Sequence, residues 1–382
     1  MKQNLRLGRI AGIPIGVQWS ALAIVVLIAL TLATGVLPSY VPGRPTVVYW
    51  AVALPGAAVF LACLLAHELA HSLVALRYGV KVGSITLFML GGISELESEA
   101  PDPKADLAIA AAGPLTSLGI GALFGLAALF SSVLGWPALL TGSLGWLGLI
   151  NVVLGAFNLL PGAPLDGGRV LRAVLWRRYH DRTRADLAAA HAGRALGLTM
   201  AFVGLAEFLF YRLTTGLWLM LMGWFLMAAA QAEQTSRMAR QALRGLKAAD
   251  VMTPRPDCGG AWQEVGDFVE HVLPSSRQDV FPVLDFDGTP VGAITATMLT
   301  RVPAEHRAIE PLRNLMHPLG EQNLCGPDAP VEDLYGKRLV AGRLVAVVLD
   351  GHQLVGMVTA DDLARTVQLG MLKTPDETDK KS

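Results

Sequence analysis

The segment "LACLLAHELAHSLVALRYG", residues 61–79, decides how this chain is read. It closes an apolar run, near 47–78, that is long enough to cross a bilayer as a helix. His67, Glu68 and His71 sit inside it. Ionisable side chains are costly at that depth and are kept where they act. The four-residue spacing puts both imidazoles on one helical face, where they can share one divalent cation. Histidine nitrogens suit zinc, which they bind at ~2.0–2.1 Å. Glu68 stands beside that face, placed to take a proton from a water on the cation. A lone buried histidine would read as a hydrogen-bonded core group, but two of them bracketing a glutamate read as a metal site.

The rest of the chain agrees with a membrane setting. Of 382 residues, 53% are hydrophobic and only 16% charged, and the mean hydropathy is +0.46. Six apolar spans are predicted, near 16–37, 47–78, 107–134, 138–158, 195–211 and 214–233. The first is not read as a cleaved signal, because five more follow. Lys2, Arg6 and Arg9 precede the first span. Arg169, Arg172, Arg177, Arg178, Arg182, Arg184 and Arg194 follow the fourth, and Arg237, Arg240, Arg244 and Lys247 the sixth. The alternate connections hold only Arg44 and Arg212. This bias predicts a multi-pass protein of the cell (inner) membrane with both termini cytoplasmic. His71 and His67 then lie about 9 and 15 Å inward from Arg77, at the 1.5 Å rise of a helix. Glu207, near the outer end of the fifth span, is expected to pair with Arg212. Between the second and third spans, "VKVGSITLFMLGGISELESEA" reads as a hairpin turning at Gly91–Gly92 on the cytoplasmic face.

Residues 1–242 carry 17 Lys/Arg against 11 Asp/Glu, and residues 243–382 carry 14 against 20. Neither part has a basic stripe with interleaved aromatics, so no nucleic-acid partner is expected. In the acidic part, "VFPVLDFDGTPVGAITATML" (280–299) and "LVAVVLDGHQLVGMVTADDL" (344–363) repeat one pattern of strand, Asp/Gly turn, strand and helix start. The expected division is a membrane domain over 1–242, a cytoplasmic α/β module over 243–370 and a disordered tail over 371–382. Cys63, Cys258 and Cys325 show no paired spacing, which argues against a disulfide framework.

A zinc site of this kind needs a third protein ligand. The candidate lies in "FNLLPGAPLDGGRVLRA" (157–173), where Pro161 and Pro164 stop the fourth span and Asp166 follows, with Gly167 and Gly168 allowing a tight turn. The fourth span runs in the same direction as the second, so Asp166 arrives on the side of the two histidines. Asp166 also reads as the N-cap of the next helix. Asn158 reads either as a contact for a peptide carbonyl or oxyanion, or as a loop tether.

With HELAH and NLLPGAPLDGG both present, the chain resembles the site-2 protease family of intramembrane zinc metalloproteases. "GRIAGIPIGVQWS" (8–20), "GGISELE" (91–97) and "AAGPLTS" (111–117) are similar to further segments of that family. The resemblance implies zinc ligands His67, His71 and Asp166, a general base Glu68, a substrate contact Asn158, and a Gly113–Pro114 step that lets the third span approach the site. It implies a substrate that is a single-span, membrane-anchored regulatory protein, cut within or beside its span. The module behind resembles a tandem pair of CBS repeats. That resemblance implies an adenine-nucleotide site at Thr359 and Asp362, whereas the first repeat has Thr295 but Met298 in place of the aspartate. A packing or homodimerisation role without a ligand is the other reading of the pair. A metal or proton carrier and a catalytically silent regulator are the rival functions. Intact Glu68 stands against the silent regulator, and no inverted repeat supports a carrier.

Overall fold

The computed structural model of the chain describes residues 5–89, 91–96, 98–211, 214–335 and 339–373. The chain forms two compact units, one up to Glu233 and the other from Gln234.

The first unit opens with strands β1 (Leu5–Ile10) and β2 (Ile13–Val17). Helix α1 (Ala21–Tyr40) and helix α2 (Thr46–Arg77) follow. Strands β3 (Val82–Phe88) and β4 (Gly91–Leu96) form a hairpin, but Gly91 and Gly92 pair with Phe88 and Leu87 as strand residues and are not the turn expected. They continue β1 and β2 into one four-stranded sheet of order β1-β2-β3-β4, with β2 and β3 parallel. The first span therefore starts later than predicted. Ile13 and Ile15 alternate inward as strand residues and pack with Ile85 and Leu87, all nearly inaccessible.

Helices α3 (Pro103–Val133), α4 (Ala138–Asn158), α5 (Asp166–Tyr179), α6 (Arg182–Tyr211) and α7 (Thr214–Leu243) complete the run. Among the described residues, six of the helices α1–α7, all but α5, are long and apolar enough to cross a membrane. Helix α3 is central and packs on α2, α4 and α5. Helices α6 and α7 meet through Gly197, Gly204, Gly216 and Gly223, whose missing side chains let the backbones touch. Small residues do this work between helices in lipid, where apolar burial offers no drive. The break between the two units falls inside α7, because that helix runs past its apolar window into polar residues.

The second unit confirms the duplication. Strands β5 (Thr253–Pro254), β6 (Gly259–Gly260), β7 (Val280–Leu284), β8 (Pro290–Thr295) and β9 (His317–Pro318) precede β10 (Leu324–Cys325), β11 (Leu344–Asp350) and β12 (Gln353–Thr359). The sheets are β6-β7-β8-β9 and β10-β11-β12-β5, so each half lends a strand to the other. Val280, Ala293, Leu344, Val347 and Met357 form a shared core. The unit ends in helix Ala360–Lys373, and residues 374–382 of the expected tail lie outside the described residues.

Candidate metal centre

Helix α2 carries His67 and His71 on the face turned to α3, with exposures of 3% and 5%. Each ring is set by its Nδ1. His71 donates its Nδ1–H to the carbonyl of Ile109 at 2.7 Å, and His67 Nδ1 lies 2.9 Å from the Ser117 hydroxyl. Both partners belong to α3. With Nδ1 protonated, each Nε2 offers a lone pair, and the two Nε2 atoms lie 3.2 Å apart. The rings fit only because position 113 is glycine. A Cβ there would fall on His71 Nε2 and 2.6 Å from His67 Nε2.

Asp166 joins them from the far side. After α4 ends at Asn158, the loop 159–165 turns the chain back and α5 begins at Asp166. Leu165 is the N-cap, and the Asp166 carboxylate caps nothing; the cap reading gives way to contact with the imidazoles. Gly167 and Gly168 are helical residues of the first turn. Side chains there would collide with the backbone of Leu159–Leu160 and Gly162–Ala163. Their role is close approach of α5 to its own loop, rather than the tight turn expected. Asp166 Oδ2 stands 3.2 Å from His67 Nε2 and 3.1 Å from His71 Nε2.

Three acceptor atoms thus form a triangle with edges of 3.1–3.2 Å, the one such cluster among the described residues. A tetrahedral zinc with bonds of ~2.0–2.1 Å keeps its ligand atoms about 3.3 Å apart. Two imidazole lone pairs facing a carboxylate repel each other without a cation, so the donor set and its spacing both fit zinc.

Glu68 lies beside the triangle. Ser94 on β4 donates to Glu68 Oε2 at 3.1 Å, and Ser72 donates to the Glu68 carbonyl (3.0 Å) with its Oγ 3.1 Å from Ser94 Oγ. A Cβ at Gly92 would strike the Glu68 side chain, so the hairpin and the glutamate are in contact. Neither serine was singled out in the sequence; "GGISELE" was the signal that carried one of them.

Other expected residues fare differently. Asn158 is half-buried at the end of α4 with no side-chain partner among the described residues. Asn151, two turns earlier, passed unnoticed in the sequence. It is fully buried, donates to the Leu147 carbonyl at 2.8 Å, and leaves Oδ1 unpaired among the described residues. A single amide in an apolar span was the available signal. Glu207 accepts from Thr215 at 3.3 Å, and its expected partner Arg212 lies outside the described residues. Cys258 is free, and burial pushes its thiol up to about 11, which keeps it protonated at neutral pH.

Thr359 and Asp362 form a reciprocal cap on the last helix. Thr359 N–H donates to Asp362 Oδ2 (2.9 Å) and Asp362 N–H to Thr359 Oγ1 (3.1 Å). The Thr359 hydroxyl lies 2.7 Å from Asp362 Oδ2, and Thr253 adds a bond to Asp362 Oδ1 at 3.2 Å. In the first repeat Thr295 keeps its half of the cap by accepting from Met298 N–H. The T-x-x-D spacing could have been read as a capping box from sequence alone.

Comparison with known proteins gives the family. Residues 55–141 and 135–204 match the profile of Peptidase family M50, and residues 323–368 that of the CBS domain. A Mycobacterium tuberculosis protein named as a zinc metalloprotease, Rip3, is 42% identical over 379 residues, which are 99% of this chain and 96% of that protein. The zinc metalloprotease MJ0392 of Methanocaldococcus jannaschii is 29% identical over 376 residues, 98% of each chain. A solved site-2 protease from Methanocaldococcus jannaschii shares 32% identity with a TM-score of 0.42, covering 60% of this chain and 94% of its own. On these grounds the chain belongs to Peptidase family M50, as a multi-pass zinc metalloprotease of the site-2 protease type with a CBS domain behind its membrane helices.

Proposed function

We propose that the chain hydrolyses a peptide bond within or next to the span of a single-span, membrane-anchored regulatory protein, as a step of regulated intramembrane proteolysis. In this reading His67, His71 and Asp166 hold one zinc ion and Glu68 is the general base. The observation that carries it is the 3.1–3.2 Å triangle of His67, His71 and Asp166, with Glu68 next to it on α2.

When bound, zinc lowers the pKa of a water towards neutrality and polarises the scissile carbonyl. Glu68 accepts the proton of the attacking water and passes it to the leaving amide nitrogen. The Ser94 hydroxyl holds Glu68 Oε2 in place for both transfers. The Asn158 amide, free of other partners among the described residues, donates to the developing oxyanion. A helical substrate hides its backbone in its own hydrogen bonds and has to be extended first. Among the described residues β4 ends its sheet with no strand on its outer edge, where an added strand would pair; β3 is flanked by β2 and β4. The Lys/Arg distribution supports both termini in the cytoplasm, with water reaching the site from that side.

The adenine-nucleotide site at Thr359 and Asp362 and a homodimer through the second unit belong to the same proposal. A ribose hydroxyl on Asp362 would take the place of the Thr253 hydroxyl, an exchange of one hydrogen bond for another. Saturable binding of AMP or ATP to the full chain, lost in Asp362→Ala, is expected; no saturable binding removes the nucleotide from the reading. Sedimentation of the detergent-solubilised chain decides the dimer.

The decisive experiment compares membranes of cells carrying the wild-type chain and Glu68→Gln. The variant should retain zinc and accumulate uncut single-span proteins. A carrier of metal or protons would keep its transport, and cleavage by the variant at the wild-type rate would end the proposal.

A further inference from the structure

Arg172, counted in the sequence among the cytoplasmic charges, is in fact buried, with an exposure of 5%. Its guanidinium grips Asp106, itself 0% exposed, through two bonds: Nη2 to Oδ1 at 2.6 Å and Nε to Oδ2 at 2.9 Å. Nη1 reaches Asp186 Oδ1 at 3.2 Å, and Arg169 Nη2 stands 3.7 Å from Asp106 Oδ1. The cluster joins three helices: Asp106 on α3, Arg172 on α5 and Asp186 on α6.

We infer that Arg172 and Asp106 are positioning residues for the metal site, holding α5 against α3 in the register that brings Asp166 to the two imidazoles. Asp106 is one turn before Ile109, whose carbonyl orients His71. Arg172 is less than two turns after Asp166 on α5. A single clamp thus ties the turn that aims one ligand to the helix that delivers another. The paired fork of an arginine and a carboxylate is planar and directional, so it resists the sliding and rotation that an apolar contact permits. Its third arm acts on the same loop. Helix α6, which carries Asp186, also receives the Ala163 N–H on the Ala189 carbonyl at 3.1 Å, fastening the segment just ahead of Asp166. A buried ion pair adds little stability over apolar residues of the same volume. Orientation is the property that such residues would lack.

This rests on His67, His71 and Asp166 being zinc ligands, and the test separates the two ideas. The full chain in detergent is stripped of metal and titrated with zinc against a chelator of known affinity, and the unfolding of the metal-free form is followed in parallel. Arg172→Lys keeps the charge but loses the fork, and is expected to weaken zinc binding about tenfold. The paired variant Asp106→Leu/Arg172→Met is expected to regain metal-free stability while binding zinc about 10–100-fold more weakly than wild type. A merely structural clamp would restore both together, so zinc binding by that pair within about twofold of wild type overturns the inference. Should the pair not fold, Asp186→Asn decides, since that side chain is 27% exposed. Weaker zinc binding at unchanged metal-free stability supports the clamp, and unchanged binding overturns it. A wild-type chain that takes up no zinc overturns the metal reading and the clamp with it; undiminished binding in the variants overturns the clamp alone.

Discussion

The Ser94 hydroxyl lies 3.1 Å from Glu68 Oε2, so the edge strand of the sheet and the glutamate of the HELAH helix share a hydrogen bond. A peptide laid along β4 would lie beside the group proposed to activate water. In the proposed function, holding the substrate and cutting it would thereby fall to adjacent parts of one hairpin and one helix.

Ser94→Ala should slow cleavage about tenfold, since a hydrogen bond to a charged group contributes roughly 1.5–3 kcal/mol and each ~1.4 kcal/mol is a factor of ten. Zinc affinity should be unchanged, because Ser94 does not touch the triangle. Steady-state kinetics on a reconstituted substrate and a zinc titration check the two halves, and an equal loss in both would remove Ser94 from the role of orienting Glu68.

Asp166→Asn keeps the size of the side chain and discards its charge. Zinc affinity should fall more than about a hundredfold, beyond the 10–100-fold usual for partners outside the ligand set. Chelator competition measures this directly. A variant that holds zinc as well as wild type would show that Asp166 is not a ligand.

Gly113→Ala should abolish zinc binding although the helices still form. The added methyl would clash with Nε2 of both His71 and His67, and overpacking of this kind typically costs ~1–3 kcal/mol. Gly125→Ala, on the same helix with open space at its Cβ, is the control and should leave binding intact. Metal content of the two purified variants settles the comparison.

Asp362→Ala removes the reciprocal cap with Thr359 and the bond from Thr253. The second unit should lose about 1 kcal/mol of stability, the usual cost of a lost cap, with no nucleotide present. Denaturant unfolding of the full chain, followed through the second unit, reads this loss. No change in midpoint would mean that the cap contributes nothing there.

Local geometry made much of this legible in advance. Four-residue spacing put His67 and His71 on one face, apolar length marked the spans, and the repeated pattern of strand, Asp/Gly turn and strand in 280–299 and 344–363 gave the duplicated strands. Those features depend on residues a few positions apart, so chain order alone encodes them. The first span is predicted from residue 16 because Val17 is as apolar as the helix that follows; only pairing of β2 with β3 identifies Gly16 and Val17 as strand residues.

The rest depended on packing between distant segments. Asp166 is 99 residues from His67 and 95 from His71, and no local rule separates contact with those imidazoles from an N-cap. That choice is made where Gly113 lets α3 close on the imidazoles and Gly167 and Gly168 let α5 lie on its own loop. Arg172 shows the same limit from the other side. Arg177 and Arg178, on the same helix, are exposed, yet α3 and α6 enclose Arg172, because a buried carboxylate on α3 needs a partner and the helical position of Arg172 faces it.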